Sequence, residues 1–268
     1  MPHHLPPGEL RQAALYWLAV TDPAAKVAGV YQLAHDATAQ RFPLDTEAVI
    51  AVSVPVPGQP EKPPLVSPLE VPRRSMATND GRASLIHALT HIEFNAINLA
   101  LDAIWRFPAM PKAYYLDWLK VAREEAYHFR LLSEHLAKMG YAYGDFPAHN
   151  SLWEMVARTT DDVLARMALV PRTLEARGLD ASPPLRAKLA QVGENEAAAI
   201  LDIILRDEVG HVAIGNHWYG WLCEQRGLEP VATYQQLATQ YQAPRLRGPF
   251  NLPARRAAGF TEQELAAL

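Results

Sequence analysis

Apolar positions recur along most of this chain at the three-and-four spacing of amphipathic helices, and strict alternation is scarce. The pattern predicts helices over Leu10 to Val20 and Pro23 to Gln40, the second opened by Asp22 as N-cap with Pro23 at the first helical position. A longer one runs from Leu85 to Phe107. After the breaker Phe107-Pro108-Ala109-Met110-Pro111, another carries the stripe Trp118, Val121, Ala122, Phe129, Leu132 and Leu136, so the two should pack as an antiparallel hairpin. Downstream, Leu164, Met167 and Ala168 share a stripe with Glu175, and Leu201, Ile204, Leu205, Val212 and Gly215 share one with Glu208. Gly178, followed by Pro183 and Pro184, reads as a helix end. The competing reading continues this helix through Leu185 to Gln191 after a kink and reverses the chain near Gly193. Seven prolines between Pro55 and Pro72 predict an extended strap. The stretch from Ala243 to Phe260 is rich in Pro, Gly and Arg, and a final short helix is expected over Thr261 to Leu268, with Thr261 and Glu264 as a capping box.

Into these apolar stripes the sequence inserts acids. Glu-x-x-His occurs twice, at Glu125/His128 and Glu208/His211, where the 17 Glu and 10 His of the chain predict about 0.6 matches by chance. Positions i and i+3 of a helix project from one face, so a carboxylate and an imidazole at that spacing can grip one ion or bridge to a second. Glu93 shares its stripe with Ile86, Leu89, Ala96, Ile97 and Ala100. Glu93 lies 15 residues before Pro108 and Glu125 lies 14 after Pro111, which puts the two at nearly equal depth in the hairpin. Burying unpaired carboxylates costs several kcal/mol each, and divalent cations are an economical way to neutralise them. A fourth acid is expected at Glu175, with Glu154 and Asp161 as rivals. Glu194 is too far along its helix from Glu208 to join it.

The order Glu93, Glu125-x-x-His128, Glu175, Glu208-x-x-His211 resembles the ferritin-like carboxylate-bridged dimetal proteins. More narrowly, the strings HIEFNAINLALDAIWRF, EEAYHF, YGDFPAH, RMALVPRTLEARGLD, RDEVGHVAIG and RGPFNLPARRAAGF are similar to the ferritin-like family DUF455, from about Leu65 to the C-terminus. The resemblance implies an all-α, ferritin-like four-helix bundle with extra N-terminal helices, a Pro-rich strap and an irregular C-terminal tail. We expect one domain over 1–268, comprising 1–80 (N-terminal helices and strap), 81–226 (metal-binding bundle) and 227–268 (C-terminal helix and tail). Glu175-Ala176-Arg177 is also similar to the third-helix ligand segment of bacterial tRNA hydroxylases.

Carboxylate and imidazole ligands without thiolates suit two Fe ions, or Mn or a mixed Fe/Mn pair. The expected activity is that of an O2- or peroxide-dependent oxidoreductase on a small-molecule substrate. Glu125 and Glu208 would bridge or chelate both ions, Glu93 and Glu175 would be terminal, and His128 and His211 would supply one imidazole each. Glu124 and Asp207 are candidates to accept the outer N–H of a ligand histidine. Iron oxidation and storage, tRNA hydroxylation and a non-enzymatic interaction bundle are the alternatives. A net charge of −4 and a pI near 6.2 argue against a polyanion partner, which leaves tRNA resting on the short similarity alone. No 18-residue uncharged apolar run occurs and the start MPHHLPPGELRQ lacks a leader pattern, so a cytoplasmic location without membrane contact is expected, and a homodimer is compatible. Cys223 reads as a buried small side chain, and His87 and His91 as satisfied histidines rather than a third metal site. Tyr127 and Trp218 read as core packing, and Asp145 and His149 as turn residues. Arg245, Arg247, Arg255 and Arg256 make the tail locally basic, and a solvated surface is the favoured reading for them.

Overall fold

The computed structural model describes residues 8–38, 42–72 and 74–268. The expected end of the second helix at Gln40, and residues 1–7, lie outside them. Among the described residues the regular structure is helical, and one parallel bridge, Leu65 with Ala148, is the nearest approach to a strand. No described helix is long and apolar enough to cross a membrane. Contacts gather the chain into two compact units, residues 1–150 and 151–268.

The first unit is built from α1 (Leu10–Ala19), α2 (Pro23–Thr38), α3 (Asn79–Arg106) and α4 (Lys112–Lys138). Asp22 opens α2 by accepting from Ala25 N at 2.6 Å, and Thr78 opens α3 by accepting from Gly81 N at 3.1 Å. The Pro-bounded turn ends α3 and starts α4, and the two pack along their length. Ala109 holds that turn at φ +61, with its N–H on Thr46 O at 2.6 Å. The α1 helix lies on α3 and α2 on α4. Where α1 meets α2, Gly29 is required, because a Cβ there would stand 2.3 Å from the Trp17 ring. Arg11, fully buried, donates to Asp45 O, Thr46 O and Ala48 O and, at 2.9 Å, to Trp105 O near the end of α3. The strap is seated as firmly. Gly58 N donates to Leu18 O at 2.8 Å, and a Cβ at Gly58 would lie 2.2 Å from Ala19 O; further on, Val66 N donates to Ala148 O at 2.8 Å and Ala148 N to Pro64 O at 3.1 Å.

The second unit runs α5 (Ser151–Arg158), α6 (Val163–Leu169), a π-helical turn (Val170–Glu175), α7 (Ala176–Gln191), α8 (Asn195–Gln225), α9 (Pro230–Gln240), α10 (Leu252–Ala257) and α11 (Glu262–Ala266). Gly178 does not end a helix. It lies inside α7, which continues through Pro183 and Pro184 to Gln191. Proline at 183 cannot donate to the carbonyl of Leu179, and Asn251 of the tail takes over that acceptor, its Nδ2 donating to Leu179 O at 3.1 Å. The chain reverses at Gly193, φ +84, with Glu194 N closing back on Leu189 O at 2.9 Å. The tail is docked through an apolar cluster of Ala176, Leu179, Val212, Ala258, Phe260 and Leu265. The expected capping box of Thr261 and Glu264 opens α11.

Candidate metal centre

In the first unit, α3 and α4 bring three predicted donors together. Glu93, Glu125 and His128 are all buried, and one donor atom from each lies within 4.8 Å of the others. Nδ1 of His128 is 3.2 Å from Glu125 Oε2 and 3.3 Å from Glu93 Oε2. The local sequence explains the aim: Glu125 and His128 are one helical turn apart on the stripe of Trp118, Ala122 and Leu132, and Glu93 is flanked by Ile86, Ile97 and Ala100, all buried. Their electrostatics are those of crowded acids in an apolar wall. Burial, then the charge of Glu125, pushes the Glu93 carboxyl up to about 8. Burial opposes protonation of His128, but its hydrogen bonds to Glu125 and Glu93 and their charges outweigh that and push it up to about 12. Protons therefore hold this cluster neutral, a task that a divalent cation performs equally well. Two carboxylates and an imidazole converging out of water are a fitting donor set for Fe or Mn.

In the second unit, Glu208 and His211 sit one turn apart on α8, both buried, with His211 Nδ1 3.8 Å from Glu208 Oε2. Glu175 is buried in the same unit at the end of the π-helical turn, whereas its rivals Glu154 and Asp161 are exposed. Among the described residues, Glu175 does not join Glu208 and His211 in a set of donors all within 4.8 Å of one another. The uninterrupted helix expected before Glu175 is absent: Pro171 has no N–H to give, and the N–H of Ala176 reaches back five residues to Pro171 O. Gly215 admits this turn against α8, since a Cβ there would stand 2.6 Å from Pro171. Arg172 fastens it, donating to Asn216 Oδ1 at 3.1 Å and to Glu264 Oε1 at 2.5 Å.

A family model described as "Protein of unknown function (DUF455)" matches residues 19–266. The chain belongs to the DUF455 family. An uncharacterized protein of Haemophilus influenzae is 54% identical to this DUF455 chain over 213 residues, covering 77% of the chain and 74% of that protein. No solved structure matches.

The other candidates fall as follows. Glu124 is partly exposed beside Arg123, and Asp207 accepts from the guanidinium of Arg206 at 2.8 and 3.0 Å. His87 Nε2 accepts from Gly144 N, and His91 is bonded to Tyr143 and Asn95. Asp145 accepts from Ala142 N within its turn. Tyr127 is half-buried, whereas Trp218 and Cys223 are buried. The tail arginines part company: Arg245, Arg247 and Arg256 are exposed, but Arg255 is fully buried and donates to Asp180. Among the buried polar residues of the first unit that sequence reasoning missed are Lys26, Asn95 and Asn98. Their signal was present, because each interrupts an otherwise apolar helical stripe.

Proposed function

We propose that this DUF455 protein is a dinuclear non-haem metal protein, with Fe or Mn, that acts as an O2- or peroxide-dependent oxidoreductase on a small-molecule substrate. The observation that carries the reading is the buried convergence of Glu93, Glu125 and His128. Those three residues would hold one ion; Glu208 and His211 would serve the other, with Glu175 as its terminal carboxylate once its side chain turns toward them on loading. When bound, such ions supply Lewis acidity and redox equivalents to the reaction. The protein's share is to hold the carboxylates fixed and dry: the α3–α4 wall around Glu93 and Glu125 excludes water, and the one-turn spacing keeps each imidazole beside its glutamate. The fold reading that goes with it is a ferritin-like four-helix bundle, supported by the order of the ligand-bearing helices and by the resemblance of the sequence.

The test is anaerobic Fe(II) loading of the full chain, elemental analysis, then optical spectroscopy on exposure to O2. Two ions per chain and a metal-dependent absorption change, both lost in Glu125→Ala, are the expected result. Retention of the same metal content by Glu125→Ala would sink the assignment. Light scattering separates this reading from iron storage, which calls for a 24-subunit particle.

A further inference from the structure

The residues assigned to the second ion stand where the C-terminal tail is packed. Ala176, next after Glu175, and Val212, next after His211, belong to the apolar cluster through which Ala258, Phe260 and Leu265 of the tail are docked. Polar contacts follow the same division. Arg255 of α10, fully buried, donates to Ala176 O at 3.4 Å and to Asp180 Oδ2 at 2.6 Å on α7, and Asn216 of α8 donates through Nδ2 to Ala258 O at 2.8 Å. The tail thus holds both of the segments that carry these ligands.

The π-helical turn is the part that most needs support. Such turns are rare and short, and this one also lacks the N–H of Pro171. Arg172, inside the turn and 5% exposed, ties it to α8 and to the tail at once: Nη1 donates to Asn216 Oδ1 at 3.1 Å and Nη2 to Glu264 Oε1 at 2.5 Å. Its guanidinium carbon lies 4.7 Å from the centre of the Tyr219 ring on α8 and 4.9 Å from that of Phe260 in the tail. Glu264 is itself held, its Oε2 accepting from Thr261 N at 2.8 Å in the capping box. A charge-assisted pair with both members anchored and nearly dry is a stiff link, and Arg172 stands three residues before Glu175.

We propose that the C-terminal tail is a clamp on the second ion's site, with Arg172 and Glu264 as its positioning contact, so that docking of the tail and occupancy of that site are coupled. The inference rests on the dinuclear reading and adds a means of control to it. Among the described residues Glu175 does not join Glu208 and His211 in one close donor set, so its side chain must turn to share an ion with them. With the tail docked, the backbone of the turn is already fixed and only that rotation remains to be ordered. With the tail released, the backbone must be ordered as well, and the second ion binds more weakly. Glu93, Glu125 and His128 take no part in these contacts, so the first ion should not notice. Coupling is reciprocal: an ion that prefers the docked tail holds the tail down by the same factor.

Equilibrium dialysis of the full chain against anaerobic Fe(II), with iron counted per chain over a range of free concentrations, reads the two affinities. Wild type is expected to bind two ions. Glu264→Ala, shown to be folded by circular dichroism, should keep the first and bind the second about tenfold more weakly, a size usual for coupled sites. Glu264→Gln keeps the capping box and a hydrogen bond to Arg172 and should restore most of the loss. Arg256→Ala breaks the exposed pair with Glu262 in the same tail and should change nothing. A second measurement uses wild type itself and so stands if a variant fails to fold: saturating Fe(II) should slow proteolytic cleavage of the tail about tenfold. The clamp is overturned if folded Glu264→Ala loses both ions alike or binds the second more tightly, if Arg256→Ala weakens the second ion as much, or if Fe(II) leaves tail cleavage unchanged. Two ions held equally by wild type and Glu264→Ala would defeat the clamp alone; fewer than two in wild type would defeat the dinuclear reading and the clamp with it.

Discussion

Replacing Lys26 by methionine tests the physics of the strap's anchor. Lys26 is fully buried on α2, its Nζ lies 4.8 Å from the centre of the Phe94 ring, and no carboxylate among the described residues pairs with it. Burial lowers its amine from 10.5 to about 7. The sign follows from proton counting: between those two values the unfolded chain carries a proton on Lys26 that the folded chain lacks, so wild-type stability rises with pH, by about 1.4 kcal/mol per unit. Below about 7 the penalty is complete and the profile flattens; above about 10.5 it is gone. From about pH 6.5 to about pH 9.5 the gain amounts to about 3 kcal/mol. Lys26→Met has no such slope. It also leaves Leu18 O, Gly58 O and Asn98 Oδ1 without the donor they share, which fills two of them at a time as the neutral amine, a loss of about 1–3 kcal/mol per bond. The variant should therefore be clearly less stable than wild type at the alkaline end, with the gap closing by about 3 kcal/mol at the acidic end. Urea unfolding followed by circular dichroism at constant ionic strength measures it, and every other titrating group cancels in the difference. Parallel profiles for the two proteins would refute the argument.

Three further outcomes follow from the structure. Stripping metal with a chelator should lower the melting temperature of wild type by about 5–10 °C if the ion is present at about a hundred times its Kd, and should not move a Glu93→Ala/Glu125→Ala protein; equal shifts in both would remove the link to this cluster. Gly29→Ala forces a methyl group into the Trp17 ring and should cost about 1–3 kcal/mol, read by urea titration of tryptophan fluorescence. Asn251→Ala strips the donor from Leu179 O and the N-cap from α10, for a combined loss of about 2–4 kcal/mol and earlier cleavage of the tail in limited proteolysis; an unchanged cleavage rate counts against the tail's docking through Asn251.

The helices were legible because their signals are local. Asp22 with Pro23, the Pro-bounded turn at 107–111 and the capping box at Thr261 each act within a few residues, and each stands where the pattern placed it. Gly178 misled for a physical reason. A glycine ends a helix when the chain needs a positive φ, as at Gly193, but at 178 the helix simply tolerates it. The two prolines that seemed to seal the ending are accommodated because Asn251, some seventy residues later, satisfies the carbonyl that Pro183 leaves open. A helical pattern cannot show a partner that arrives from the tail. The π-helical turn before Glu175 was hidden likewise: Pro171 removes one N–H, and whether the chain kinks, breaks or widens there depends on Gly215 and Arg172 bracing it against α8.

Buried charge was easier to read than buried neutrality. An acid within an apolar stripe is costly enough that its position alone asks for a partner, which is why Glu93, Glu125 and His128 stood out before any coordinates. Asn95 and Asn98 interrupt the same helix as visibly, yet an amide inside costs less and is commonly satisfied by backbone, so nothing in the sequence tells which partners hold it. The structure answers that atom by atom. His91 takes the nitrogen of Asn95, and Lys26 takes the oxygen of Asn98. A buried amide is therefore placed by the partners that meet it from neighbouring turns and helices, and for Asn98 that partner, Lys26, lies more than seventy residues away in the chain, out of reach of any helical pattern.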